Sequence, residues 1–202
     1  SGTRPLRERR ADARRGPPRY ARGMSRIASF APAIPAAPRA LVLGSMPGVA
    51  SLRAGQYYAH PRNAFWPLMH ALFAVPSRAP YAERLAALGE AGVALWDVLA
   101  ECEREGSLDS AIAPASVAVN DITGLLASHV GLRVIALNGG TAARLFDRHV
   151  APALGSRLAA MRVLRLPSTS PAHAARSFVE KADAWAALSA ALRAPEGERA
   201  CA

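Results

Sequence analysis

Polar residues that could do chemistry follow each of four short apolar runs in the sequence. The runs, each bounded by Gly, Pro or polar residues, are Ala40–Leu43, Val93–Trp96, Arg133–Leu137 and Arg162–Leu166. The segments that follow them are Gly44–Gly48, Asp97, Asn138–Gly140 and Pro167–His173. If the runs are buried parallel strands, these segments meet at one edge of a sheet, which is where α/β folds bind ligands. We therefore expect one shared site.

Two of these segments are rigid turns rich in hydrogen-bond donors. The first, Gly-Ser-Met-Pro-Gly at 44–48, combines glycines that permit close approach with a proline that fixes φ. The second places three hydroxyl groups between two prolines at 167–171. Such donors suit a phosphodiester, so we expect phosphate contacts from Gly48, Ser168, Thr169 and Ser170. The alternative is that each segment only reverses the chain.

A third segment, Gln56–Trp66, holds four aromatic residues, a histidine and an arginine. Tyr58 or Phe65 could offer a ring on which a base stacks, a contact worth about 1–3 kcal/mol per base in single-strand binders. Asn63 is the polar residue best placed to hold a water beside that base. Its alternative role is the N-cap of a helix. His173 could donate to a phosphate or to a leaving group, or be structural, and no G-x-S-x-G elbow supports a serine hydrolase.

The elements that must position these residues alternate strand with helix. Apolar periodicity predicts helices that lie between or after the runs, at Asn63–Phe73, Tyr81–Leu88, Asn120–Ser128, Thr141–His149 and Arg176–Leu192. The order predicts an α/β fold, a three-layer α/β/α sandwich on a central four-stranded parallel sheet. With 202 residues, 51% of them hydrophobic, we expect one domain over residues 24–194 and a frayed tail over 195–202.

Charge is concentrated at the N-terminus. The formal net charge is +10, of which +6 falls in residues 1–23, where eight Arg face two acids. This segment has no apolar periodicity, so we expect it to be disordered and not a targeting peptide. The functional alternative is that this segment is an Arg-rich arm that contacts DNA. The rest of the chain carries a net charge of only about +4, which is weak support for nucleic-acid binding by the domain.

Several classes of protein are excluded by what the sequence lacks. The first turn has neither the Gly-Lys-Ser/Thr of a nucleoside triphosphate loop nor the third glycine of a dinucleotide turn, so no nucleotide cofactor is expected. Two cysteines cannot form a four-cysteine cluster or a tetrahedral zinc site, so we expect no metal and a cytoplasmic location. No stretch of about 18 uncharged apolar residues exists to span a membrane.

The block "LVLGSMPG…SL…QYYAHPRNAFW", together with "GVALWD" and the Pro-Ser loop, resembles the uracil-DNA glycosylase superfamily. The form of the block is most similar to the hypoxanthine-DNA glycosylase branch, and the resemblance covers roughly residues 40–192. It implies an enzyme that rotates a nucleotide out of the duplex and hydrolyses its N-glycosidic bond, without nucleophilic side chain, cofactor or metal. The iron–sulfur branches need four cysteines, which this sequence does not have.

The resemblance also implies roles for individual residues. The first turn of the superfamily often carries an Asn or Asp that positions the water, and Met46 occupies the matching place here, beside Ser45, which we also expect to contact the base. Asn63 is then our candidate for positioning the water. Phe65 matches the stacking aromatic, while Ser168 and Ser170 match the phosphate loop.

Two further polar residues have alternatives that remain open. Asp97 lies where relatives present an Asn to the base, so an ionised Asp97 could accept from a ring N–H of hypoxanthine, or could cap a turn. Asn138 could reach the base or stabilise its own turn.

The predicted function is therefore a monomeric, monofunctional DNA glycosylase acting on DNA with deaminated bases, hypoxanthine first. Uracil or xanthine could be the substrate instead. The alternative from another class is a non-catalytic nucleic-acid-binding α/β module.

Overall fold

The four apolar runs form one parallel sheet. In the computed structural model, which describes residues 25–194, its strands are β2 (Ala40–Gly44), β3 (Val93–Asp97), β6 (Val134–Asn138) and β7 (Arg162–Leu166). The spatial order is β3-β2-β6-β7. The register pairs Gly44 with Asp97 and Asn138 with Leu166, so the carboxyl ends of the strands lie at one edge. The predicted four-stranded parallel sheet is confirmed.

Helices cover both faces of this sheet, as predicted. In chain order they are α1 (Val49–Ala54), α2 (Phe65–Phe73), α3 (Tyr81–Glu90), α4 (Ile122–Ser128), α5 (Gly140–His149), α6 (Ala151–Leu154), α7 (Ser156–Ala159) and α8 (Phe178–Arg193). The predicted helices match α2, α3, α4, α5 and α8, with ends that differ by up to two residues. The short helices α1, α6 and α7 were not predicted, because four to six residues are too few to show an apolar period.

Side chains along the central strands alternate between two cores. In β2, Ala40 and Val42 face a core shared with α2, α3 and α8. Leu41 and Leu43 face a second core shared with α4 and α5. Burial on both faces explains why the strands read as unbroken apolar runs rather than as alternating patterns.

A second sheet, which the sequence did not predict, covers part of the second core. It is antiparallel, in the order β1-β4-β5, with β1 at Ser25–Ala28, β4 at Leu99–Arg104 and β5 at Ala118–Val119. Leu99 and Cys102 of β4 are fully buried, whereas its other residues include two glutamates and a buried arginine. Because these charged residues interrupt the apolar ones, β4 does not appear as an apolar run in the sequence. Two 3₁₀ turns, Asp109–Ala111 and Pro114–Ser116, follow β4.

The expectations for residues 1–23 and 195–202 concern parts of the chain outside the described residues. Within residues 25–194, no helix has the length and hydrophobicity needed to cross a membrane.

Candidate functional site

A cavity of about 480 Å³ opens at the carboxyl ends of the central strands. The loops that follow β2, β3, β6 and β7 all contribute to its wall, and so does the aromatic segment before α2. Three of the residues predicted to do chemistry, Asn63, Asp97 and His173, line this one cavity. Ser45, Met46, Tyr58 and Asn138, predicted to contact a base, also line it.

Asp97, the last residue of β3, is a buried carboxyl in the floor of the cavity. It is 3% exposed, and its Oδ2 has no hydrogen-bond partner among the described residues. Gly44 of the neighbouring strand permits this placement, because a Cβ there would lie 2.4 Å from Oδ1. Burial, and to a smaller extent the charge of Asp109, raises the pKa of Asp97 to about 8, although Arg104 opposes both effects. At neutral pH the carboxyl is therefore mostly protonated, able to donate and to accept.

Tyr58 presents an aromatic ring and a buried hydroxyl beside Asp97. Its φ of +56° is in the left-handed region, which a bulky side chain rarely adopts without support from its surroundings. The hydroxyl oxygen is buried, and burial followed by the nearby Asp97 charge raises the pKa of Tyr58. The backbone of this segment is held by the Tyr81 hydroxyl, which accepts from Tyr57 N–H at 3.0 Å. A strained aromatic residue held at a cavity wall indicates a binding role.

Phe65, the other ring predicted to stack on a base, lies in the core and does not line the cavity. It is fully buried, because the first residue of α2 turns inward onto Trp185, with ring centroids 6.1 Å apart. Its ring stacks on Tyr58 at a centroid distance of 3.9 Å and an angle of 24°. Phe65 therefore supports the ring of Tyr58, which lines the cavity together with Tyr57.

Asn63 lies at the cavity wall and also shapes the start of α2. Its Oδ1 accepts from Phe65 N–H at 3.0 Å, and its own N–H donates to His60 O at 2.8 Å. The helix accordingly begins at Phe65, two residues later than predicted. An amide oxygen has two lone pairs, so Oδ1 retains one for a water. The N-cap of α2 is Ala64, so the alternative that Asn63 caps the helix is wrong, and its role in holding a water stays a prediction.

Asn138 and Thr169 are joined by two hydrogen bonds. Asn138 Nδ2 donates to Thr169 Oγ1 at 3.0 Å, and Thr169 N–H donates to Asn138 Oδ1 at 2.9 Å. Thr169 is 1% exposed, and its carbonyl accepts from Ala64 N–H at 3.0 Å. The Thr169 hydroxyl, which we expected to face a phosphate, therefore connects the loop to β6 and to the start of α2. The Asn138 amide stabilises that connection.

The remaining serines of the loop form local turns. Ser168 Oγ accepts from Ser170 N–H at 3.2 Å, and Ser170 Oγ accepts from Ala172 N–H at 3.3 Å. Both hydroxyl hydrogens stay available to a ligand in the cavity. The turn also depends on Gly139, which has a φ of +101° and where a Cβ would lie 2.8 Å from the Cβ of Ser168.

His173 follows this loop with an exposed side chain. Its carbonyl accepts from Lys181 Nζ at 2.9 Å, so helix α8 fixes the end of the loop. The imidazole therefore lies at the cavity rim on a backbone that is held in place.

The first turn is fixed from the second sheet. Ser45 Oγ donates to Asp109 Oδ1 at 2.8 Å, and the buried Arg104 guanidinium donates to Pro47 O. Met46 is 6% exposed and packs into the core shared with α4 and α5, so it offers the cavity only an apolar surface. Gly48 lies at the start of α1 and lines the cavity.

Sequence reasoning missed a group of residues that line the same cavity. They are Ser107, Leu108, Asp109, Thr141 and Arg144. The first three follow β4, a strand that was not predicted, so nothing placed them near the site. Arg144 extends from α5 and its Nη2 donates to Thr141 Oγ1 at 2.9 Å. Burial raises the pKa of Asp109, and the hydrogen bond from Ser45 opposes the rise.

Within residues 25–194, no three His, Cys, Asp or Glu side chains form a group that could hold a metal ion. The cavity contains two carboxyl groups, those of Asp97 and Asp109. They lie in different environments. Asp97 is almost fully buried, whereas the side chain of Asp109 is 36% exposed. The arrangement can hold a flat polar ring, donate hydrogen bonds to an anion at its rim, and keep one carboxyl neutral.

Comparison with known proteins agrees with this geometry. The model of the family described as "Uracil DNA glycosylase superfamily" matches residues 31–189. A Methanosarcina acetivorans protein named "Hypoxanthine DNA glycosylase" is 40% identical over 100 residues, which are 49% of this chain and 62% of that protein. A protein of the same name from Methanosarcina barkeri is 35% identical over 111 residues, 54% of this chain and 69% of the relative. The aligned segment thus spans less than two thirds of the first relative.

A solved structure is similar over a greater length. The solution structure of a candidate uracil DNA glycosylase from M. acetivorans superimposes with a TM-score of 0.70 and 30% sequence identity. The match covers 84% of this chain and all of the other. The family match extends over all four central strands and every loop that lines the cavity. The chain therefore belongs to the uracil-DNA glycosylase superfamily.

Proposed function

We propose that this protein is a DNA glycosylase that hydrolyses the N-glycosidic bond of a flipped, deaminated base, with hypoxanthine as its first substrate. Membership of the superfamily and the names of the two relatives support the proposal. The observation that carries it is the buried Asp97 carboxyl, which lines the cavity and whose Oδ2 has no hydrogen-bond partner among residues 25–194. A buried polar atom of this kind is costly unless a ligand supplies the hydrogen bond.

Hypoxanthine supplies the complementary groups. Its six-membered ring carries an N–H next to a carbonyl, and a neutral carboxylic acid can donate to the carbonyl while it accepts from the N–H. The raised pKa of Asp97 makes the neutral form the abundant one at pH 7. Uracil and xanthine carry the same pair of groups, so Asp97 by itself favours deaminated bases as a class. We propose that the size of the cavity favours a purine within that class.

The other residues would hold the flipped nucleotide around this contact. The Tyr58 ring, supported by Phe65, would stack on the base, a contact worth about 1–3 kcal/mol. Gly48, Ser168 and Ser170 would donate to the phosphates on either side, and Arg144 would add charge at the rim. Rotation of the nucleotide out of the duplex costs a few kcal/mol, and least for a poorly paired base.

The chemical step needs a water and a stabilised leaving group. The C1′–N bond breaks with the electron pair going to the base, the sugar acquires oxocarbenium character, and water adds at C1′. The proton that the water loses ends on the departing base, so the products are an abasic sugar and a neutral base. Asn63 Oδ1, already oriented by Phe65 N–H, would accept from that water. Asp97 and His173 would stabilise the negative charge that develops on the base, by hydrogen bonding.

The nucleophile is water rather than an amine. Lys181 is the only lysine of the sequence. Its amine donates to His173 O and lies outside the cavity wall. An imine with the sugar would need a free amine in the cavity. We therefore propose a monofunctional enzyme whose product is an intact strand with an abasic site.

A base-release panel tests the proposal. Duplexes containing deoxyinosine, deoxyuridine or deoxyxanthosine opposite each normal base are incubated with the protein, and free base and alkali-labile sites are measured. We expect hypoxanthine release with matching alkali-labile sites. DNA binding without release of any base would instead support a non-catalytic binding module.

Variants of Asn63 test its assigned role. Asn63→Ala should reduce turnover by roughly 100-fold or more while much of the DNA affinity remains. Because this change also removes a helix-start hydrogen bond worth about 1 kcal/mol, Asn63→Asp is the matched control. It keeps an oxygen for both Phe65 N–H and the water, so it should retain the fold and most of the turnover. Undiminished turnover in Asn63→Ala would remove Asn63 from the mechanism.

A further inference from the structure

The backbone on both sides of Tyr58 is held by side chains from other elements. Trp66 Nε1 donates to Tyr57 O at 3.1 Å, which fixes the peptide that precedes Tyr58. Ser51 Oγ accepts from Ala59 N–H at 3.2 Å, which fixes the peptide that follows it. Because both peptides are fixed, Tyr58 has little freedom to leave its φ of +56°. These contacts therefore determine where its ring points.

Helix α3 adds a contact to this segment from outside the cavity. Tyr81, the first residue of α3, is half-buried and does not line the cavity. Its hydroxyl accepts from Tyr57 N–H at 3.0 Å. Its ring packs edge-on against Trp66, with the ring centroids 6.0 Å apart. The N–H and the carbonyl of Tyr57 are thus both bound by side chains, and these two side chains contact each other.

Arg84 joins the two aromatic side chains of this arrangement. It lies three residues after Tyr81 on α3, and its guanidinium carbon is 4.6 Å from the centroid of the Trp66 ring and 5.5 Å from that of Tyr81. A cation over aromatic rings stabilises their arrangement. Arg84 Nη2 also donates to Gln56 Oε1 at 3.3 Å, so α3 contacts the chain at residues 56 and 57, directly before Tyr58.

The conformation that these contacts maintain is unfavourable for a tyrosine. A bulky residue keeps a positive φ only when its surroundings impose it, and such positions are concentrated at ligand sites. Here the result is a Tyr58 ring that lines the cavity and stacks on Phe65. We propose that Tyr81 is a positioning residue for base binding, which holds the Tyr57 peptide so that the Tyr58 ring can stack on the extruded base. This inference rests on the proposed glycosylase function.

Tyr81→Phe tests this role, because it removes the hydroxyl and keeps the ring that packs on Trp66. Its affinity is measured for two duplexes of the same sequence. One carries a non-hydrolysable 2′-fluorinated analogue of deoxyinosine, and the other carries a tetrahydrofuran abasic analogue, which has no base to stack. We expect binding of the first to weaken by about three- to tenfold, a part of the stacking contribution, and binding of the second to stay within about twofold. Equal weakening for both duplexes, or none for either, would overturn the proposal.

A double-mutant cycle with Tyr58→Ala separates positioning from a general loss of stability. Tyr58→Ala removes the ring itself and should weaken binding of the deoxyinosine duplex, relative to the abasic duplex, by about tenfold or more. If Tyr81 acts through that ring, adding Tyr81→Phe to Tyr58→Ala should change the ratio of the two affinities by less than about twofold. Additive effects of the two substitutions would show that Tyr81 does not act through Tyr58.

Ile122→Val is the control for stability. Ile122 is fully buried in the core shared with α4 and α5 and does not line the cavity. Shortening it should lower the stability in urea unfolding and leave the ratio of the two affinities within about twofold of wild type. A change in that ratio equal to that of Tyr81→Phe would assign the effect to stability and overturn the proposal. No base release by the wild type from any substrate would instead refute the glycosylase function itself.

Discussion

Replacement of Asp97 by Asn should change how the stability of the protein depends on pH. The folded protein holds the Asp97 proton up to a pKa of about 8, chiefly because burial disfavours the carboxylate. The unfolded chain releases it near pH 4. Between these values the folded state binds one more proton than the unfolded state, so stability falls as pH rises. The contribution is complete below the unfolded pKa and is lost as pH rises through the folded pKa.

The size of the effect follows from the same linkage. One proton difference corresponds to about 1.4 kcal/mol per pH unit, so a rise from pH 5 to pH 7 should cost the wild type about 2–3 kcal/mol through this group. For a chain of this length that is a decrease in Tm of roughly 5–10 °C. Asn is neutral throughout, so Asp97→Asn should lack this part of the slope.

Thermal and urea unfolding of both proteins from pH 5 to pH 9 provides the measurement. The other titrating groups are common to the two proteins, so the difference between their curves isolates Asp97. Its charged neighbours Asp109 and Arg104 are retained in both. Parallel curves would show that Asp97 is ionised in the folded state and would refute the argument from burial. In that case the proposal that a neutral Asp97 carboxyl recognises the base would also be wrong.

The remaining predictions concern the supports of the site. Gly44→Ala should cost about 1–3 kcal/mol in urea unfolding and reduce base release, because its Cβ would lie 2.4 Å from Asp97 Oδ1; unchanged values would show that the carboxyl has room to move. Thr169→Val removes the acceptor for Asn138 Nδ2 and should cost about 1–3 kcal/mol in the same assay, whereas a neutral effect would mean that water replaces the hydroxyl. Borohydride should trap no covalent adduct between wild-type protein and abasic DNA through Lys181, and a trapped adduct at this residue would contradict a water nucleophile.

The parallel sheet could be predicted mainly because three of its strands, β2, β3 and β6, are buried on both faces, whereas β7 is partly exposed. Such strands appear as continuous apolar runs, and the order of strand and helix then places their carboxyl ends together. Asp97 and Asn138 were predicted to lie at one edge from this rule alone, and the sheet register places them there. The direction of each side chain was not predictable in the same way. Helical spacing cannot tell whether Phe65 faces a cavity or a core.

The second sheet and its loop could not be predicted for a different reason. In β4 the buried residues include Arg104, whose charge breaks the apolar pattern although the side chain is fully buried. Without β4, nothing indicated that Leu108 or Asp109 reaches the first turn. The Ser45 hydroxyl was predicted to face a base, but a hydrogen bond from a distant loop is a tertiary contact that sequence periodicity does not encode.

The position of β2 next to β6 has a consequence for folding. These strands bring together residues nearly half the chain apart, and the cavity wall is shared between the loops that follow them. Neither half of the chain can form the cavity alone, and a partly unfolded protein that has separated β2 from β6 has no cavity at all. The amide hydrogens of these two strands should therefore exchange only through global unfolding. A bound base analogue should slow that exchange across the whole central sheet, far beyond the residues that it touches.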